Sequence, residues 1–162
     1  LGTTLTHPRW LRQYLTINAD RNYRLWRRLD RLYRLRRALG RFLYTRHIYA
    51  TTSLAGASEA YRELLMDACH VAYPAAYHLL DIDWFYDTLT EVRGWGLTYG
   101  VVKALQHACS TEWFCVPESG DWLRHYWAQA LQGSVETLLP SLTGASWGAE
   151  WLVEVLFDDD TM

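Results

Sequence analysis

Residues 93–114, RGWGLTYGVVKALQHACSTEWF, constrain the fold more than any other stretch. After Gly94, Trp95 and Gly96 the run stays apolar for most of a helix. Val101, Val102, Ala104, Leu105 and Ala108 cover more than one face of it. A helix that is apolar nearly all round has to be covered by other elements. The expectation is a central helix, most buried over 95–109, with other helices packed around it.

The flanking sequence adds helical periods and turn signals. Pro8 suits the first turn of a helix, and Trp10, Leu11, Tyr14 and Leu15 follow at helical spacing. Over 21–47, Leu25, Leu29, Leu32, Leu39 and Leu43 keep steps of three, four and seven, and Trp26, Tyr33 and Phe42 widen the stripe. The remaining face is arginine, at Arg24, Arg27, Arg28, Arg31, Arg34, Arg37 and Arg41. This predicts a basic amphipathic helix that packs by its leucines and leaves its arginines in water. The small polar run 51–58 reads as a loop. Ser58 is placed to cap a helix over 59–73, whose inward stripe is Tyr61, Leu64, Leu65, Ala68, Val71 and Ala72 and whose end is set by Pro74. Residues 75–80 form a short helical piece. Asp81 or Asp83 caps the next helix, with Trp84, Phe85, Thr88, Leu89 and Val92. Beyond the central helix, 117–120 reads as a turn and Asp121 as the cap of a helix carrying Trp122, Leu123, Tyr126, Trp127, Ala130 and Leu131. Pro140 stops that helix or its extension. Ser146 can cap a last helix with Trp147, Trp151, Leu152, Val155 and Leu156. No alternating strand pattern of useful length occurs. The reading is all-α: a single domain over 1–162, a bundle of seven or eight helices around a buried central one.

At 162 residues the chain can bury a sizeable core without staples. Its net charge of −2 hides a split. Residues 1–50 hold twelve Arg against two acids, a balance of +10, and 51–162 hold four bases against sixteen acids, a balance of −12. A basic helical region over 8–49 therefore precedes an acidic one over 58–157. These are either two complementary surfaces of one fold or a basic face for nucleic acid or anionic lipid. Three cysteines, an odd count with no CxxC pair, point to free thiols in a reducing compartment. No apolar run reaches membrane-spanning length, and the first segment lacks the apolar core of a signal peptide. A chain that starts at Leu1 without Met reads as a fragment and leaves open a removed C-terminal anchor.

A catalytic or binding site shows itself in sequence by the residue types and spacing its chemistry needs. A helical zinc protease requires two His one turn apart with a Glu base, a phosphate cradle a Gly-rich loop ending in Gly-Lys-Ser/Thr, and a hydrolase elbow Gly-x-Ser-x-Gly; none occurs. Asp83 and Asp87 at i and i+4, with Asp81 and His78 nearby, could hold a hard divalent metal, although such acids are more often helix caps and solvated surface. Cys69 with His70, and His107 with Cys109, lack a partner at a recognised ligand spacing. The expectation is a protein that is not an enzyme and needs neither a metal nor another cofactor.

The central stretch carries a resemblance. Gly94-Trp95-Gly96-Leu97 resembles the first homology motif of the Bcl-2 family of apoptosis regulators, Asn-Trp-Gly-Arg, at the start of a buried helix. Residues 84–92, WFYDTLTEV, are similar to the family helix that precedes that motif. A Trp-rich helix over 122–139 is followed by GASWGAEWLVEVLF, which resembles the second homology motif through Trp147, Ala149 and Glu154. The resemblance covers 81–157. Departures are plain: Gly94 replaces the motif asparagine, and Leu97 replaces the arginine that pairs with the ligand's aspartate. The third motif has two placements, at 65–70 with Cys69 and His70 for its glycine and aspartate, or at Leu39-Gly40-Arg41-Phe42. Such divergence resembles viral members more than cellular ones.

The resemblance implies an anti-apoptotic protein that binds the helical death motifs of pro-apoptotic Bcl-2 family proteins in an apolar groove. The groove residues it implies are Leu64, Leu65, Ala68, Trp84, Leu89, Arg93, Gly94, Trp95, Gly96, Leu97, Val101 and Trp147. It also implies a cytoplasmic location, not a secreted one, with the mitochondrial outer membrane as an associated surface, and admits a homodimer. The competing reading is a helical module that binds nucleic acid or an anionic membrane through the arginine-rich helix over 21–46.

Overall fold

The structure, a computed structural model, describes residues 7–18, 21–130, 137, 140, 144, 148 and 150–157. Among them every regular element is helical, as expected. Six α-helices are described: α1 (Pro8–Leu15), α2 (Arg21–Ala50), α3 (Ala57–Cys69), α4 (Asp87–Ala108), α5 (Pro117–Ala130) and α6 (Glu150–Phe157). Short 3-10 turns span Ala75–Tyr77 and Trp113–Cys115. Among the described residues no helix is long and apolar enough to cross a membrane. The chain divides into two compact units, Leu1–Trp26 with Gly94–Met162, and Arg27–Arg93.

In the Arg27–Arg93 unit the core is Tyr44 and Ile48 of α2, Ala57, Tyr61, Leu65 and Cys69 of α3, and Ile82. The Tyr44 and Tyr61 rings meet edge to face at 5.1 Å. Gly40 sets the approach of α2 to α3: a Cβ there would stand 2.8 Å from the Ala68 Cβ. The expected packing face of α2 is wrong. Its buried residues are Leu35, Ala38, Gly40, Tyr44, Thr45 and Ile48, while Leu25, Leu29, Leu32, Leu39 and Leu43 are all exposed. Gly40 explains the shift, because a bare backbone there lets α3 settle beside that face and not on the leucines. Nor is the arginine face uniformly solvated. Arg36 donates to the carbonyls of Ala68 and Asp67 at the end of α3. Arg37 donates to both carboxylate oxygens of Asp81 at 3.1 Å.

The loop from 78 to 86 is held from three sides. Asp81 takes the Arg37 pair and a 2.7 Å hydrogen bond from the Tyr61 hydroxyl, and Arg41 donates to its carbonyl. Ile82 enters the core. Asp83 donates its N–H to the buried Thr45 hydroxyl at 2.9 Å and accepts from the N–H groups of Asp87 and Thr88. Asp83 is thus the cap of α4. Burial alone would raise its carboxyl, but the Thr88 hydroxyl and the two backbone N–H groups, with Arg41 nearby, hold it below the usual carboxylate range.

That cap corrects the expected start of the central helix. Trp84 and Phe85 precede α4 in a turn, Tyr86 takes a left-handed φ of 56°, and the helix then runs unbroken from Asp87 through Gly94. Gly94-Trp95-Gly96 therefore lies inside the helix and not at its opening. Two carboxylate-accepted N–H bonds at the cap offset the roughly 1 kcal/mol that each interior glycine costs. Helix α5 likewise begins at Pro117, four residues before the expected cap at Asp121, because proline is tolerated in a first turn. Helix α3 ends at Cys69, before Pro74, with His70 in the left-handed conformation at its C-cap.

In the other unit, Leu11 of α1 and Val102, Ala104 and Leu105 of α4 are buried. Trp151 of α6 packs on α4 at Gly100, where a Cβ would stand 2.3 Å from the indole. The Tyr99 ring lies 6.3 Å from the same indole.

Candidate functional site

Helix α4 carries a stripe at Gly94, Leu97, Thr98, Val101, Val102 and Leu105, at i, i+3, i+4, i+7, i+8 and i+11. This spacing keeps them on one face for about 16 Å of helix. The stripe is the floor of an open cavity of about 820 Å³. Trp10 of α1, with Trp113 and Phe114, forms part of the wall, and Ser119, Leu123, Tyr126 and Trp127 of α5 form the rest. All of these residues lie in one unit.

The walls are fixed by polar contacts behind them. The Ser119 hydroxyl, 2.6 Å from the carbonyls of both Trp113 and Val116, ties the 3-10 turn to the start of α5. Arg9 pairs with Glu112, and the His7 ring lies 4.8 Å from Phe114, so α1 is held against the same turn. Trp122 stacks on Tyr126 at 5.6 Å.

Among the described residues the lining contains no carboxylate, amine, guanidinium or imidazole. Its hydroxyls are largely spent within the chain, since Thr98 donates to the Gly94 carbonyl at 2.8 Å and Ser119 is occupied as above. Burial raises the Tyr126 phenol, so it stays a neutral donor. Four aromatic side chains besides Tyr126 supply large apolar faces. Such a site can bind an apolar ligand by burial of surface.

Gly94 has a particular place at one end. A Cβ built there would meet nothing within 4 Å. The backbone is bare toward open space, so a ligand can approach it closely.

Of the residues expected in a groove, Gly94, Leu97 and Val101 line this cavity. Trp95 is partly buried and Gly96 buried in the same helix, and neither is in the lining. Leu64, Leu65, Ala68, Trp84, Leu89 and Arg93 belong to the Arg27–Arg93 unit. Leu65 is corrected outright: it is 0% exposed within the core, leaving no surface for a ligand, and Leu64 and Ala68 pack against that core. Trp84, Leu89 and Arg93 are exposed. Trp147 lies outside the described residues. Sequence reasoning missed Trp10, Trp113, Phe114, Leu123 and Trp127 as lining. Their helical spacing marked several of them as inward-facing, but an inward face does not distinguish a filled core from a cavity wall.

Asp81 and Asp83, two of the acids at metal-like spacing, are engaged within the fold. Asp81 is bound to arginine and tyrosine, Asp83 caps α4, and the His78 ring lies 2.8 Å from the Ala75 carbonyl. Among the described residues no three His, Cys, Asp or Glu side chains are grouped as a metal site would require. Cys69 is buried, and burial pushes its thiol up, which disfavours a thiolate ligand. Compared with protein families, curated proteins and solved structures, the chain matches none.

Proposed function

We propose that this protein is a Bcl-2-like regulator that binds the amphipathic death-motif helix of a pro-apoptotic partner in the groove floored by α4. The observation that carries the reading is the uncharged 16 Å stripe from Gly94 to Leu105, left open between α1 and α5 (length from the helical rise). A partner helix with anchors at i, i+3 or i+4, and i+7 has the same axial repeat as that stripe. Its anchors would enter the aromatic walls, and its small face would approach Gly94. The finer architecture, seven or eight helices around a buried central helix, goes with this proposal, as do the anti-apoptotic role, the kinship with viral family members and the cytoplasmic location.

Recognition here rests on apolar burial. Leu97 stands where the family pattern has arginine, so the ligand's aspartate meets no cation among the described lining residues. Replacing that aspartate by Ala in the peptide should cost less than the ~1.5–3 kcal/mol of a charged hydrogen bond. Fluorescence anisotropy with a panel of labelled death-motif peptides tests both points. Binding tighter than roughly 100 μM, with little loss on the Asp→Ala peptide, supports the reading. No binding across the panel overturns it.

A further inference from the structure

The second half of α2 and the turn before α4 meet in an aromatic patch that the core of their unit leaves outside. The Tyr86 ring lies 5.8 Å from Phe42 and 5.5 Å from Tyr49, and Tyr49 lies 6.5 Å from Trp84. Yet Phe85, Trp84, Tyr49 and Tyr86 are 84, 59, 47 and 36% exposed. The patch is held in place from behind. The Tyr49 hydroxyl donates to the Trp84 carbonyl at 2.8 Å, and Asp83, one residue earlier, is bonded to Thr45 and caps α4. Binding there costs little ordering. A fixed, contiguous aromatic patch on the outside marks an interaction site. All of its residues lie in the Arg27–Arg93 unit.

Charge and area identify what it meets. Phe42, Arg46 and Tyr49, at i, i+4 and i+7, share one face of α2, so a cation stands on the α2 side of the patch. Asp87 follows Tyr86 and Glu91 is one turn further on, so carboxylates stand on the α4 side. All three charged residues are exposed, and among the described residues none is in an ion pair. At about 200 Å² per aromatic side chain, the exposed parts of the four rings come to roughly 450 Å². A stable interface takes about 800 Å² from each partner, a little over half of it apolar, which is again roughly 450 Å². Nucleic acid would take Arg46 and be repelled by Asp87 and Glu91. A bilayer would take the rings and leave the carboxylates without a counter-charge. A second copy turned about a two-fold satisfies all of them, because a charge on each side meets its opposite on the other copy. We infer that this patch is the two-fold interface of a homodimer, with ring packed on ring and Arg46 of each copy paired with the Asp87 and Glu91 carboxylates of the other. This is independent of the α4 groove.

Sedimentation equilibrium of the full chain tests it. Wild type should be a dimer with a dissociation constant of about 10 μM or tighter. Phe85→Ser removes the most exposed ring and should weaken the dimer at least about ten-fold, with helicity unchanged. Arg46→Glu alone, and Asp87→Lys with Glu91→Lys in another chain, should each weaken it similarly, because like charges then meet twice across the two-fold. Mixed one to one, these two charge variants should recover the dimer, since both contacts are again between opposite charges. If the lysine pair lowers helicity, Asp87→Asn with Glu91→Gln keeps the first turn of α4 and should weaken the dimer in the same direction. A wild-type monomer at about 100 μM would overturn the inference. So would an unchanged dimer in Phe85→Ser, no recovery in the mixture of folded charge variants, or a monomer that binds phosphatidylcholine vesicles through Phe85.

Discussion

The same substitution at two glycines of one helix should change stability in opposite directions. Gly94 and Gly100 both lie within α4, so changing either to Ala gains a similar helix propensity, up to about 1 kcal/mol. At Gly94 the new Cβ meets nothing within 4 Å, so the gain should appear nearly whole, about 0.5–1 kcal/mol. At Gly100 the Cβ would stand 2.3, 2.9 and 3.2 Å from three atoms of the Trp151 ring. That ring is buried, and it would have to retreat by more than an ångström to restore ordinary contact. Overpacking on this scale costs about 1–3 kcal/mol, which cancels or exceeds the propensity gain. The difference between the two variants, from which propensity drops out, should be about 1–3 kcal/mol in favour of Gly94→Ala. Urea unfolding followed by circular dichroism gives both midpoints, and equal slopes would show that the denatured state is not responsible. Equal stabilisation by both substitutions would refute the packing of α6 on α4 at Gly100.

On α2, Leu35→Ala should cost about 2–5 kcal/mol and Leu29→Ala less than about 0.5 kcal/mol by the same unfolding measurement, because only Leu35 is buried. Asp83→Ala should cost about 1–3 kcal/mol, since it removes the cap of α4 and leaves two N–H groups without their carboxylate. The folded Asp83 carboxyl lies below its ordinary value, so its contribution is complete above about pH 4 and is lost as pH falls through the folded value. Acid titration of unfolding midpoints should therefore show a smaller loss between neutral and low pH in Asp83→Ala than in wild type.

Fold class was legible because helical periodicity is written along the chain and strand alternation is not. Helix ends were less legible, for local reasons. Pro117 reads as a turn residue, yet its fixed φ suits a first turn. His70 ends α3 in a left-handed conformation that its residue type does not announce. Asp83 reads as a possible cap, but its two bonds fall on Asp87 and Thr88, which moves the start of α4 ahead of Gly94. The buried face of α2 is not legible because five leucines outweigh one glycine in any hydrophobic period, whereas contact distance is set by the glycine. Of the site, the α4 stripe could be seen at Gly94, Leu97 and Val101. The walls, aromatic except for Leu123 and Ser119, come from 10, 113, 114, 119, 123, 126 and 127, more than a hundred residues apart in places, and only the tertiary fold brings them together.

Gly94 is proposed to open the α4 groove to a helical partner, and calorimetric titration of one death-motif peptide into wild type and Gly94→Trp decides whether it does. The indole would project into space that is empty beside Gly94, filling part of the 820 Å³ without disturbing its neighbours. Wild type should bind tighter than roughly 100 μM, about −5.5 kcal/mol, with a negative heat-capacity change from apolar burial. Gly94→Trp should weaken binding at least about ten-fold, a loss of 1.4 kcal/mol or more, with its unfolding midpoint kept. Equal affinity in the two proteins, or no binding by wild type, would show that the α4 stripe is not the binding groove.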